Sequence, residues 1–284
     1  MDVRRAVFAG SWYPGTIAEC ERQILGFLKE GVKVKPEKQA VGVIVPHAGW
    51  VYSGGIACRA ISLLARKPLP ETIVVFGMHL PPGAQPRIMA AGGIETPLGA
   101  LEVDEAITRP LLERFSFQEE TTRRFSQDNT IELQLPFIKH FFRDAQIVPI
   151  GVPPNPAAVE IGAAVVAIAN EIGRNIAVVG STDLTHYGAN FSMTHYGFGQ
   201  EAHEKVRDRE DRRIIERMLA MDPLPVIREA LASSNACCSG AAAAAISAAK
   251  ALGATEAALT EYATSYDKSP GESFVGYAGI VFLK

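Results

Sequence analysis

Three histidines and an aspartate stand where a parallel sheet would collect them. His47 follows the apolar run Val41-Gly-Val-Ile-Val45, and His79 follows Glu71-Thr-Ile-Val-Val-Phe-Gly77. Asp183 and His186 follow Asn175-Ile-Ala-Val-Val-Gly180. In open α/β sheets the carboxyl ends of parallel strands lie along one edge, and ligands gather there. Two histidines with a carboxylate form the ligand set of open-faced non-haem Fe(II) sites. Three histidines, or two with a thiolate, suit Zn(II) or copper equally well. The Asp183-Leu-Thr-His186 step also admits chemistry without a metal, with Asp183 orienting His186 as a general base. Taken singly, each residue has a plainer description, a histidine satisfied by hydrogen bonds or an aspartate capping a turn. Three such strand ends in one chain favour a site.

A thiol joins these candidates from far along the chain. In Ser233-Ser-Asn-Ala-Cys-Cys-Ser-Gly-Ala241, Cys237 lies near the start of an Ala-rich helix, where the helix dipole favours a thiolate. A small buried hydrophobe is the competing description of a cysteine, and the residues alone do not choose between Cys237 and Cys238. Ser53-Gly54-Gly55 before a helix could bind an anion through backbone N–H groups, although it lacks the lysine and the spacing of a phosphate-binding loop. His140, His195 and His203 have no partner pattern and are read as lying outside the site.

The elements that must position these residues alternate. The strands 41–45, 71–77, 145–152 and 175–180 are short, apolar and rich in β-branched residues, as strands buried on both faces are. Helices are expected from Ile17 to Glu30 behind a Thr16/Glu19 capping box, over 56–66, from Asp104, over 128–142 with Pro136 as a kink, and from Asn155-Pro156 to Gly173. Arg5–Gly15 is expected as an extended arm packed on the surface, and Lys33–Lys38 as a charged linker. Residues 87–103 read as short strands or a hairpin beside the main sheet, Asp222-Pro starts a short helix, and 200–217 reads as a solvated helix face laced by i,i+4 ion pairs. The runs 259–264 and 274–283 are expected to pair antiparallel. The predicted fold is therefore α/β: one domain over 1–284, with a mostly parallel central sheet and helices on both faces.

Bulk properties narrow the function. The chain of 284 residues is 48% hydrophobic and 21% charged, with a formal charge of −3, which gives no electrostatic reason to expect nucleic acid or an acidic membrane as a partner. No apolar run approaches the ~20 residues that span a bilayer, and the amino-terminal residues lack the apolar core of a signal peptide. Cysteines 20, 58, 237 and 238 form no Cys-x-x-Cys pair or disulfide-framework spacing, so a reducing, cytoplasmic setting is expected.

The residues also resemble a known family. Val45-Pro-His-Ala-Gly-Trp-Val-Tyr-Ser-Gly54, Gly77-Met-His79, Thr96-Pro-Leu-Gly99, Glu132-Leu-Gln-Leu-Pro136, Ser181-Thr-Asp-Leu-Thr-His-Tyr187 and Asn235-Ala-Cys237 resemble, in this order, the motifs of the Memo family, called AmmeMemoRadiSam system protein B in microbes. That family is similar in fold to the class III (LigB-type) extradiol dioxygenases. The resemblance implies an iron- or copper-binding pocket, with His47, His79 and Cys237 as ligands and Asp183 and His186 beside them. In microbes it also implies radical-SAM and AMMECR-type proteins as pathway partners. The chain departs from the family pattern at Asn129, where members often carry histidine, and at Cys238, where they usually carry glycine. Because neighbours at a helix start point about 100° apart, only one thiol of the pair is expected to face the metal, and the resemblance puts Cys237 there.

The function expected from residues and resemblance together is a metal-dependent redox protein acting on an unidentified small molecule or peptide. Iron or copper would leave a coordination position open, and His186, oriented by Asp183, would move protons. With Zn(II) the same ligands would suit a hydrolase. The alternative from another class is a non-enzymatic module that binds a peptide or anion in the same pocket.

Overall fold

In a computed structural model of the chain, residues 2–32 and 37–284 are described. Of the expected charged linker, residues 33–36 lie outside them.

Four strands form the middle of the main sheet, all parallel and in the order Ala40–Val45, Ile176–Ser181, Thr72–Gly77, Gln146–Gly151. Their alternating side chains feed two separate cores, as strands covered on both faces must. Ile44, Val74, Phe76, Val148 and Val178 pack on one side with the helices Pro156–Glu171 and Ser239–Ala251. Val43, Val45, Ile73, Val75 and Val179 pack on the other with Ile17–Lys29, Gly55–Ser62 and Leu135–Phe141. The sheet is extended by Ser273–Leu283, antiparallel to 40–45, and Arg87–Met89, antiparallel to 146–151. As expected, Glu256–Thr264 pairs antiparallel with 273–283. Among the described residues no helix is long and apolar enough to cross a membrane.

Several elements differ from expectation for identifiable reasons. The single helix expected over 128–142 is two, Asn129–Glu132 and Leu135–Phe141. Pro136 has no N–H for the Glu132 carbonyl, so the first helix cannot run through it. The helix expected over 56–66 starts earlier and stops sooner, with a π turn over Trp50–Gly54 leading directly into Gly55–Ser62. Gly54 is needed there for space rather than for a left-handed conformation, since a Cβ would come within 2.9 Å of Trp50.

The arm is more than a surface strap. Val3–Arg4 pairs with Gly93–Ile94, and Glu132 Oε1 then accepts the N–H groups of Val7 and Phe8, each at 2.7 Å, and the Tyr13 hydroxyl at 3.1 Å. Nor is 200–217 solvated throughout. Glu201–Lys205 and Arg212–Glu216 are i,i+4 pairs, but His203, Glu210 and Asp211 are buried. Asp211 accepts hydrogen bonds from Thr185 N at 3.0 Å and the Tyr262 hydroxyl at 2.7 Å.

Candidate metal centre

The three central strands 40–45, 176–181 and 72–77 are neighbours, with Val45 opposite Ser181 and Phe76 opposite Gly180. Their carboxyl ends therefore release His47, the 182–186 turn and His79 at one point. The chain leaves the third strand through Met78 at φ 71, a left-handed conformation uncommon for a residue with a side chain. Two contacts hold it there. Met78 N donates to Thr130 Oγ1 at 2.7 Å, and the Met78 side chain fills the space over Gly151, where a Cβ would come within 2.3 Å of its sulfur. This bend delivers His79.

His47 and His79 meet edge to face with ring centroids 5.0 Å apart. His47 is buried, its Nδ1 3.0 Å from Ser181 Oγ and its Nε2 3.3 Å from Cys237 Sγ. Donor atoms of His47, His79, Cys237 and Cys238 all lie within 4.8 Å of one another. A tetrahedral ion bound at ~2.1–2.3 Å needs ligand atoms about 3.4–3.8 Å apart, so a contraction of about an ångström would suit the cluster to Zn(II), copper or iron. The sequence-based expectation that the two cysteines point apart is not met. Both precede the helix, which starts at Ser239, and Cys238 is its N-cap with φ −126 and ψ 53. The helical angle between neighbours does not apply there.

Electrostatics single out one thiolate. Burial opposes ionisation of Cys237, but the adjacent Cys238 thiol and the two imidazoles outweigh it and hold the Cys237 thiol well below the ordinary range. Burial, reinforced by the Cys237 charge, pushes Cys238 the other way. Burial likewise works against a charged His47, yet Asp183 and Cys237 raise its pKa. Asp128 and Cys237 raise that of His79 to about 10.

Asp128 is a residue that sequence reasoning left as a helix start. It is indeed an N-cap, accepting from Thr130 N at 2.9 Å, while its other oxygen lies 3.7 Å from His79 Nδ1. A carboxylate behind a ligand histidine is the usual means of fixing that ring's orientation. The residue type at a helix start was legible, but the fold alone brings it to His79. Asn129, the departure from the family pattern, donates to the His47 carbonyl at 3.0 Å.

Asp183 and His186 flank the cluster but are not joined as expected. Asp183 Oδ1 accepts the His47 N–H at 2.7 Å, and its Oδ2 is 3.9 Å from His186 Nε2, beyond hydrogen-bond reach. His186 Nε2 is buried and, among the described residues, has no hydrogen-bond partner. The ring packs on Phe191 with centroids 4.9 Å apart. His140, His195 and His203 lie outside the donor cluster.

A cleft of about 1150 Å³ opens above the histidines, and the arm, the 17–29 helix and the 47–52 segment form its walls. Trp12, Tyr52 and Phe191 are partly exposed along it. A second cleft, of about 570 Å³, reaches Cys237 and His186 from the side of Met193 and Leu231. At Ser53-Gly54-Gly55, weighed above as a possible anion site, Ser53 Oγ donates to the Ala48 carbonyl at 3.1 Å and Gly54 is buried within the helical turn.

Fold and site define an α/β protein whose parallel strand ends gather a histidine–cysteine cluster beneath a cleft. The chain belongs to the Memo family. The family's model, described as Memo-like protein, matches residues 4–281. A MEMO1 family protein of Methanopyrus kandleri is 33% identical over 294 residues, covering 99% of each chain. One from Pyrobaculum arsenaticum is 34% identical over 293 residues, again covering 99% of each. Among solved structures, an uncharacterised Escherichia coli K12 protein matches with a TM-score of 0.48 and 11% identity, over 84% of this chain and 98% of that one.

Proposed function

We propose that the chain is a metal-dependent redox protein, with His47, His79 and Cys237 as ligands for iron or copper. The observation that carries this reading is the convergence of imidazole and thiol donors within 4.8 Å, with the histidines lining the larger cleft and Cys237 the smaller one. Bound there, the ion would supply one-electron chemistry and an open position for a small molecule.

The chain's own residues have separable parts. Ser181 and the Asp183 carboxylate fix the ring and the backbone of His47, and Asp128 fixes His79. His186 is the proton carrier in this reading. Its Nε2, without a hydrogen-bond partner among the described residues, suits a group whose hydrogen bond is completed by a bound molecule. The aromatic wall of Trp12, Tyr52 and Phe191 would hold an apolar or planar part of the substrate and limit water at the reacting end.

The same wall favours the second reading, a binding module without turnover. The two are separated by loading the protein with Fe(II) or Cu(I) under nitrogen and following oxygen uptake with ascorbate as reductant. The redox reading expects uptake that His47→Ala abolishes. Stably loaded protein that takes up no oxygen would overturn it in favour of binding. If the protein retains only Zn(II), the hydrolase reading replaces it.

A further inference from the structure

We infer that Cys238 is a metal ligand in its own right, which makes this chain's centre a set of two imidazoles and two thiolates rather than two imidazoles and one. The inference rests on the metal reading above and concerns the position at which this chain departs from the family pattern.

The backbone makes a double thiol approach feasible. Cys237 N donates to the Asp183 carbonyl at 3.2 Å, and Cys238 N donates to Thr182 Oγ1 at 3.0 Å. Both peptides are thereby pinned to the strand end that also carries Asp183. Cys238 caps the 239–251 helix by position only, because its side chain makes no capping hydrogen bond and is free to turn inward. There it lies within 4.8 Å of both imidazoles and of its neighbour's sulfur.

Cys238 is buried among apolar side chains, and a small hydrophobe is the ordinary description of such a cysteine. Packing alone does not account for its placement against two histidine nitrogens. Cys20 and Cys58 are also buried and free, yet among the described residues they belong to no such cluster.

A second thiolate has two chemical consequences. Two thiolates neutralise a divalent ion, which lowers the cost of its charge on the buried side of the site, where His47 and Cys238 lie. They also soften the donor set, favouring Zn(II) or Cu(I) over Fe(II). The four protein donors fill a tetrahedral shell, so an outside ligand must displace one of them or expand the shell. Cys238, held on the buried side, would then decide whether the position under the cleft is open.

X-ray absorption on the zinc-loaded wild type counts the sulfur ligands without any mutation. Titration with Co(II) then reads thiolate-to-metal charge transfer in the wild type, Cys238→Ala and Cys237→Ala. The expected results are two sulfurs, and charge-transfer intensity reduced to about half in each single variant. Zn(II) affinity should also be weaker by about tenfold or more in Cys238→Ala. One sulfur in the wild type, with an unchanged spectrum in Cys238→Ala, would overturn the inference and leave the three-ligand reading standing. Failure of the wild type to take up either ion would overturn both.

Discussion

Asp183 holds the backbone of His47 more firmly than it holds the ring of His186. One carboxylate oxygen accepts the buried His47 N–H at 2.7 Å, whereas the other is 3.9 Å from His186 Nε2. The aspartate is thus first a positioning residue for a candidate ligand. His47 opens the cleft-side loop immediately after Pro46, and without this acceptor its N–H would be buried and unpaired.

Asp183→Ala should therefore cost about 2–4 kcal/mol of stability, the penalty of stranding a buried donor that had a charged acceptor, and should weaken metal uptake. His186→Gln should change thermal stability little and leave metal uptake intact. Parallel urea melts and calorimetric metal titrations check this. Equal losses in the two variants would mean that Asp183 and His186 work as one unit.

The Asp128 carboxylate should matter through His79. In metal-free protein His79 titrates near pH 10, raised chiefly by Asp128 and then by Cys237. Because the folded-state pKa is above the unfolded value, this stabilisation is fully present below about pH 6.5. It is lost as the pH rises through about 10. Asp128→Asn should lower the His79 pKa, readable by NMR titration of the ring protons, and weaken metal affinity by about 10- to 100-fold. An unchanged His79 titration would remove Asp128 from the site.

Asp211 predicts a slope of the same sign at acid pH. Burial pushes its carboxyl up to about 6 against the hydrogen bonds from Thr185 and Tyr262. The folded protein therefore holds a proton that the unfolded chain has released, and stability should fall as the pH rises from about 4 to 6, by up to ~3 kcal/mol. Asp211→Asn should flatten that dependence in denaturant melts taken across the range. Since Thr185 directly precedes His186, the variant should also shift any pH profile that His186 controls.

The strand ends could be read from the sequence because their logic is local. An apolar run of β-branched residues followed by proline or glycine and then histidine says where a strand stops and what it presents. Parallel pairing of 40–45, 176–181 and 72–77 then needed only the alternation of helices and strands. Contacts made across the fold were not legible in this way. Asp128 reads as the first residue of a helix, Glu132 as part of that helix and of a family motif, and Asp211 as one charge in a mixed run. Their partners, His79, the arm from Val7 to Tyr13, and Thr185 with Tyr262, are brought to them only by tertiary packing. The cysteine pair shows the same limit from the other side. The expectation that the two thiols diverge assumed helical geometry at residues that lie just ahead of the helix.

The central claim, that His47, His79 and Cys237 hold a transition metal, is tested most directly by metal analysis. The protein would be purified under nitrogen without chelators, alongside His47→Ala, His79→Ala and Cys237→Ser, with folding checked by circular dichroism. The account predicts about one equivalent of iron or copper in the wild type and near none in folded samples of each variant. Wild-type protein that is metal-free and takes up neither Fe(II), Cu(I) nor Zn(II) on titration, or variants that retain the full equivalent, would contradict it.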